Sequence, residues 1–125
     1  MKIHELLRDG AAAPTATPDE SASRAWDRMH ELRVDHLAVV HDGKLVGVVS
    51  RHDLGGPAGG SHRRMGRTVG QLMHGELVTV TPEASVAHAA SLMRRHGIGC
   101  LPVVRDGKLQ GLITVGQLLE LLERK

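Results

Sequence analysis

Two short stretches carry the side chains best spaced for chemistry. Ser50-Arg51-His52-Asp53 ends one apolar run, and Thr114-Val115-Gly116-Gln117 ends another. A hydroxyl three residues before a carboxylate or an amide is the spacing of a helix capping box, in which each side chain satisfies the other's backbone N–H. Capping accounts for both stretches, although only the first supplies a carboxylate. The nine histidines (4, 30, 36, 41, 52, 62, 74, 88 and 96) include no His-x-x-x-His pair, and Cys100 is the lone cysteine. They read as scattered surface groups that titrate near neutrality rather than as a zinc site. Cys100 has no evident base partner and reads as a small buried residue at a strand start, not a nucleophile. Arg63, Arg64 and Arg67 read as a solvated basic segment, with closure over a ligand's phosphates or contact with nucleic acid as the other reading. Without a nucleophile–base set, a phosphate loop or a metal constellation, no enzyme is expected.

Composition narrows the classes further. Sixteen Lys and Arg against fourteen Asp and Glu leave a net charge of +2, too even to imply nucleic acid or a membrane surface. Trp26 is the only aromatic among Phe, Trp and Tyr, so a groove that stacks single-stranded bases is not expected. One cysteine permits no intrachain disulfide and suits a reducing compartment. His4, Glu5, Arg8 and Asp9 interrupt the start too early for a signal peptide. No apolar run approaches the roughly 20 residues a spanning helix needs. A cytoplasmic location is expected.

The elements that must position Ser50 and Thr114 occur twice. "DGKLVG" at Asp42–Gly47 and "DGKLQG" at Asp106–Gly111 set an offset of 64 residues. Carried outward without gaps, that offset makes fifteen of the forty pairs between 15–54 and 79–118 identical, so a whole unit is duplicated. Each copy predicts a helix opened by Thr-Pro. In the first, Thr17 is the expected N-cap, with Pro18 at the first helical position and Glu20 completing a capping box. An apolar stripe follows at Ala22, Ala25, Met29 and Leu32, matched by Val86, Ala89, Ala90 and Met93, with Gly97 as the second helix's stop. Next come two β-branched runs around Asp-Gly, the strongest short hairpin signal, apolar on consecutive positions as in a sheet covered on both faces. A further helix is expected after each hairpin. Short pieces precede each copy: "IHELL" near the start, then "VGQLM" and "LVTV" at 69–80.

The predicted class is therefore α/β (α+β): two β-α-β-β-α repeats packed sheet to sheet about a pseudo-twofold axis. The expected division is 1–54 for the first repeat, 55–67 for a glycine-rich, basic, mobile linker, and 68–125 for the second. Trp26 pairs with Ala90 and breaks the repeat symmetry, which makes it a candidate for a dimer surface or for core packing.

This pattern resembles the CBS domain (cystathionine β-synthase domain) in tandem, the arrangement called a Bateman module. The resemblance rests on Thr-Pro-x-x-Ser at Thr17–Ser21 and Thr81–Ser85, "GCLPVV" at Gly99–Val104, Asp-Gly-x-Leu-x-Gly in both hairpins, and "GVVSRHDL" at Gly47–Leu54. It covers essentially the whole chain, in the manner of a stand-alone CBS domain-containing protein. It implies a non-catalytic regulatory module that binds an adenosine-containing ligand (AMP, ADP, ATP or S-adenosylmethionine) in the cleft between repeats. Such a module signals to a partner protein by conformational shift and commonly forms a homodimer. The alternatives are a ligand-free dimerisation or interaction scaffold and, less favoured, a nucleic-acid-associated module.

The family's ribose signature is Gly, two apolar residues, Ser or Thr, two residues, then Asp; Gly47, Ser50 and Asp53 match it. The resemblance makes Asp53 the carboxylate for both ribose hydroxyls, with Ser50 beside it at a strand end. Phosphate would lie at the following helix N-terminus, near Arg51 and His52. The base would sit near Leu77 and Val78, against Gly99 and Cys100. A weaker mirror site would use Thr114 and Gln117 with Asp35 and His36. Ala38, where the second copy has Pro102, and Gln117 depart from the pattern at that second site. The ligand itself, the partner protein and the pathway are not specified by these residues.

Overall fold

A computed structural model describes residues 1–7, 13–56, 60–75 and 77–124. The chain forms two compact units, one of Pro14–Leu77 and one of Met1–Ala13 with Val78–Lys125.

In the first unit β1 (Thr15–Ala16) runs parallel to β2 (His36–His41), and β2 pairs antiparallel with β3 (Lys44–Ser50). Between β1 and β2 lies α1 (Ala22–Leu32). Its Ala22, Ala25 and Met29, spaced three and four apart, pack against Leu37, Val39, Val49 and Leu54 of the hairpin and its end. Two short helices follow, α2 (Ser61–Arg64) and α3 (Val69–Leu72), and Val69 and Leu72 close the same core. In the second unit a 3-10 turn at Ile3–Glu5 packs with α4 (Val86–His96), the hairpin β4 (Cys100–Arg105) and β5 (Lys108–Thr114), and α5 (Val115–Glu123). Both units are mixed α/β, as the repeat implies. The strand expected at "LVTV" is reduced to a parallel bridge between Val80 and Val103.

The hairpins form where the Asp-Gly pairs require. Asp42 and Gly43 have φ of 50° and 76°, and Asp106 and Gly107 have 51° and 77°; both central residues of each turn are left-handed, as a two-residue type I′ turn demands. The bulges fall at equivalent places, between Val39 and Val40 and between Val103 and Val104. Leu37, Ala38 and Val39 are buried in succession, as are Cys100 to Val103, so these strands are covered on both faces.

Three local expectations are corrected. The helices begin four residues later than Thr-Pro implied: Ser21 and Ser85 are the N-caps, accepting from the N–H groups of Arg24 and His88. Thr17 and Pro18 instead open a turn closed by Glu20 N–H on Thr17 O at 3.2 Å. Glu20 is drawn away from the cap by Arg28, which it holds at 2.5 and 2.8 Å. No helix starts at the end of β3 itself; the helix that follows the hairpin, α2, begins only at Ser61. One turn starts with Leu54 N–H on Ser50 O (3.2 Å), then stops at Gly55 and Gly56, whose φ values of 103° and 65° leave the helical region. After β5 the helix does form, because Thr114 and Gln117 make a complete capping box and no glycine pair follows.

The segment expected to be a mobile linker is structured where it is described, at 55–56 and 60–67; residues 57–59 lie outside the described residues. Arg63 Nε donates to Asp53 O at 2.7 Å, and Arg64 donates to Leu54 O at 2.9 Å. The compact units also divide the chain differently from the sequence repeats. Ile3, within the expected first repeat, is fully buried in the second unit's core, whereas Val69 and Leu72, within the expected second repeat, lie in the first unit's core. Backbone bridges Lys2–Ser85 and Ser21–Thr68 make the exchange on both sides.

Candidate functional site

Asp53 is 6% exposed and is the one buried charged residue among the described residues. It lies just past β3, where Ser50 ends the strand. Its Oδ2 accepts the Ser50 N–H at 2.8 Å, and its own N–H donates to Ser50 Oγ at 3.0 Å. Ser50 and Asp53 therefore make the reciprocal cap that their spacing allowed, around one helical turn rather than a helix. Gln117 does the same for Thr114: Oε1 accepts the Thr114 N–H at 2.8 Å and Thr114 Oγ1 accepts the Gln117 N–H at 3.2 Å. The two positions are structural equivalents with different chemistry, a carboxylate in one unit and a neutral amide in the other.

Capping uses only one carboxylate oxygen of Asp53. The other, Oδ1, lies 2.5 Å from Nε2 of His74, whose side chain is 72% exposed while that of Asp53 is 7% exposed. His74 is held there by backbone bonds in both directions with Val48, at 2.9 and 3.1 Å. Gly47 makes this approach possible. A Cβ at residue 47 would lie 2.6 Å from Met73 Sδ and 2.8 Å from His74 O, so any larger residue would push the His74 segment away. In the second unit a Cβ at residue 111 would likewise lie 2.7 Å from Leu7 Cδ2.

Around Asp53 the first unit gathers Arg51, His52, Asp35 and His36. His36 pairs with Ser50 across the sheet, and Asp35 O accepts the Arg51 N–H at 3.0 Å. Residues assigned to two different sites thus stand side by side within one unit. Burial pushes the His36 imidazole below its ordinary value, an effect partly opposed by the nearby carboxylates of Asp35 and Asp53. Its Nδ1 is buried without a partner among the described residues. Arg51 reaches Asp35 Oδ1 at 3.3 Å, and His52 is exposed. Leu77 also belongs to this unit and is half-buried.

The second unit holds Val78, Gly99, Cys100, Thr114 and Gln117. Cys100 pairs with Thr114, as His36 does with Ser50, and Gly99 O accepts the Val115 N–H at 3.0 Å. Burial pushes the Cys100 thiol up to about 12, which keeps it protonated and unreactive at neutral pH.

Trp26 sits half-buried against the first core. Arg64 stacks on its ring with the guanidinium carbon 3.9 Å from the centroid, Arg51 lies at 5.3 Å, and the His30 ring meets it edge-on at 4.8 Å. The basic segment is therefore anchored on carbonyls and an aromatic face beside Asp53. His74 is the site residue that sequence reasoning missed. It reads as one of nine scattered histidines, and a single backbone bridge leaves no periodic trace in sequence. The expected helix N-terminus behind Arg51 and His52 is absent, since only one turn forms there.

Known proteins carry the same architecture. The CBS domain family matches residues 11–54 and 69–124. The CBS domain-containing protein YhcV of Bacillus subtilis is 30% identical over 104 residues, covering 83% of this chain and 74% of that protein. A solved signal-transduction protein with CBS domains from Burkholderia ambifaria superposes with a TM-score of 0.88 at 25% identity, covering 100% of this chain and 96% of its own. CBSX2, solved in complex with AMP, has a TM-score of 0.83 at 26% identity, covering 98% and 97%. The chain also matches inosine-5'-monophosphate dehydrogenases, of which it spans only 20% to 22%. With two matched segments that account for most of its length, and each hairpin, cap and bulge present twice, this chain belongs to the CBS domain family and carries a pair of CBS repeats.

Proposed function

We propose that this CBS pair is a non-catalytic regulatory module that binds an adenosine-containing ligand of the AMP, ADP, ATP or S-adenosylmethionine kind, with Asp53 taking the ribose hydroxyls. One observation carries the reading. A buried carboxylate at a strand end spends one oxygen on its own cap and meets only an exposed side chain at the other. Two adjacent hydroxyls are well suited to such an acceptor, because a carboxylate can take two donors at once. The complex of the similar CBSX2 with AMP supports the ligand class. Arg51 and His52 would favour an anionic tail. Gln117, neutral and engaged in the equivalent cap, makes the second position the weaker acceptor. The ligand acts by population shift, favouring one arrangement of the protein and so changing its affinity for a protein target in the cytoplasm.

A thermal-shift series with AMP, ADP, ATP and S-adenosylmethionine, repeated on Asp53→Ala, tests this. At 100 times its dissociation constant a ligand stabilises by roughly 2.7 kcal/mol. The shift is expected in the native protein and lost in the variant; a shift that survives the substitution places the ligand elsewhere.

A second reading, a homodimer that presents an interaction surface, is favoured by α5. Val115, Leu119 and Leu122 are exposed along it at 40%, 54% and 67%. They border an apolar groove with Ile98, Ala90 and Met93. Light scattering of the native protein against Leu119→Glu tests it, with a dimer expected only in the former.

A further inference from the structure

The contact between His74 and Asp53 has the form of a catch. His74 is fixed at its backbone by two bonds to Val48 and admitted by the missing side chain of Gly47, yet its imidazole is largely in solvent. Its Nε2 holds the one Asp53 oxygen that the Ser50–Asp53 cap leaves over. An incoming pair of hydroxyls needs that same oxygen.

We propose that His74 is a displaceable, pH-graded latch on Asp53, occupying the carboxylate when protonated and yielding it to a ligand's hydroxyls when neutral. This rests on the reading of Asp53 as the ribose acceptor and adds the regulation of that site. An imidazolium donates a charge-assisted bond to a carboxylate, about twice as strong as the bond from a neutral ring. Imidazole is the side chain that gains or loses its charge within the pH range cells use. Among the described residues, the other charged and titratable groups around the pair are directed elsewhere. Asp35 lies next to His36 on the β2 side, and Arg51 is directed to Asp35. Arg63 of α2 bonds the Asp53 carbonyl, not its carboxylate, and His52 is exposed on the turn. His36 is held toward its neutral form by burial, so it adds little charge as the pH falls. His74 is the side chain whose protonation bears directly on Asp53 Oδ1.

Calorimetric titrations with two probes, adenosine and AMP, at pH 5.5 and 8.5 test the latch in the native protein and in His74→Gln. Adenosine is included because it has no phosphate to titrate in that range. Affinity of the native protein for adenosine is expected to rise roughly five- to tenfold from pH 5.5 to 8.5, the difference between a charge-assisted and a neutral hydrogen bond. His74→Gln is expected to bind more tightly than the native protein at pH 5.5 and to vary little with pH for adenosine. Binding with the same pH profile in both proteins overturns the latch and leaves the ligand reading standing. If neither probe binds either protein, the ligand reading falls and a ligand-free test decides the latch. Melting temperatures of the native protein, His74→Gln, Asp53→Asn and the double variant then form a cycle. Asn keeps the Ser50 cap through its side-chain oxygen, so folding is preserved. Coupling between the two positions at pH 5.5 that weakens at pH 8.5 supports the latch, and additivity at both values refutes it.

Discussion

At the scale of single residues, His36 and Asp53 show how burial sets chemistry in this protein. His36 starts β2 beside Ser50, and burial depresses its protonation while Asp35 and Asp53 oppose that effect less strongly. Because its folded value is lowered below the unfolded ~6.5, its contribution to stability is complete above that pH and is lost as pH falls through the folded value. Stability should therefore decline on acidification below about pH 6.5, with a slope no steeper than about 1.4 kcal/mol per pH unit from this one group. His36→Cys, which copies Cys100 of the other repeat, should flatten that limb in denaturant melts between pH 7 and 5; an unchanged slope would assign the loss to other groups. The Ser50–Asp53 pair was legible in sequence as both a cap and an acceptor. The structure shows that one carboxylate has an oxygen for each role, a division that spacing alone does not reveal.

At the scale of elements, local chemistry decides most of the outcome, and the misreadings are local too. Asp-Gly gave both hairpins their turns because few other dipeptides tolerate two successive positive φ angles. The Thr-Pro openings predict caps, but in the second copy Ser85 holds the helix at 3.0 Å while Thr81 is exposed and contributes only its carbonyl, which accepts the Ala84 N–H. Ser85→Ala should thus cost about 1 kcal/mol, the usual worth of an N-cap. Thr81→Ala should stay within about 0.5 kcal/mol, as surface changes do. Urea unfolding of the two variants ranks them, and equal losses would return the cap to Thr81. Directly after β3 only one turn forms, because Gly55 and Gly56 leave the helical region, and α2 begins later, at Ser61.

At the scale of the whole molecule, the repeat and the packed unit are not the same segment of chain. Ile3 is fully buried with Val80, Ala89, Met93, Leu101, Val103 and Ile113, all from the second repeat. Ile3→Ala should cost about 2–5 kcal/mol as a buried large-to-small change. Methyl resonances of Met93 and Ile113 should move in the variant while those of Met29 and Val49 stay in place; the opposite pattern would assign Ile3 to the first unit. Among the described residues no helix is long and apolar enough to cross a membrane. By itself the sequence determined the duplication, the hairpins and their turns, the Ser50–Asp53 pairing and most of each apolar helix face, though Leu32 and Ala90 of the expected stripes are exposed, because dihedral preference and periodicity act between near neighbours. Only the tertiary structure decided which short segment closes which core and which side chain meets Asp53. Ile3 and His74 reach their partners through isolated backbone bridges across long stretches of chain, and a bridge bonds through N–H and C=O groups that nearly every residue shares.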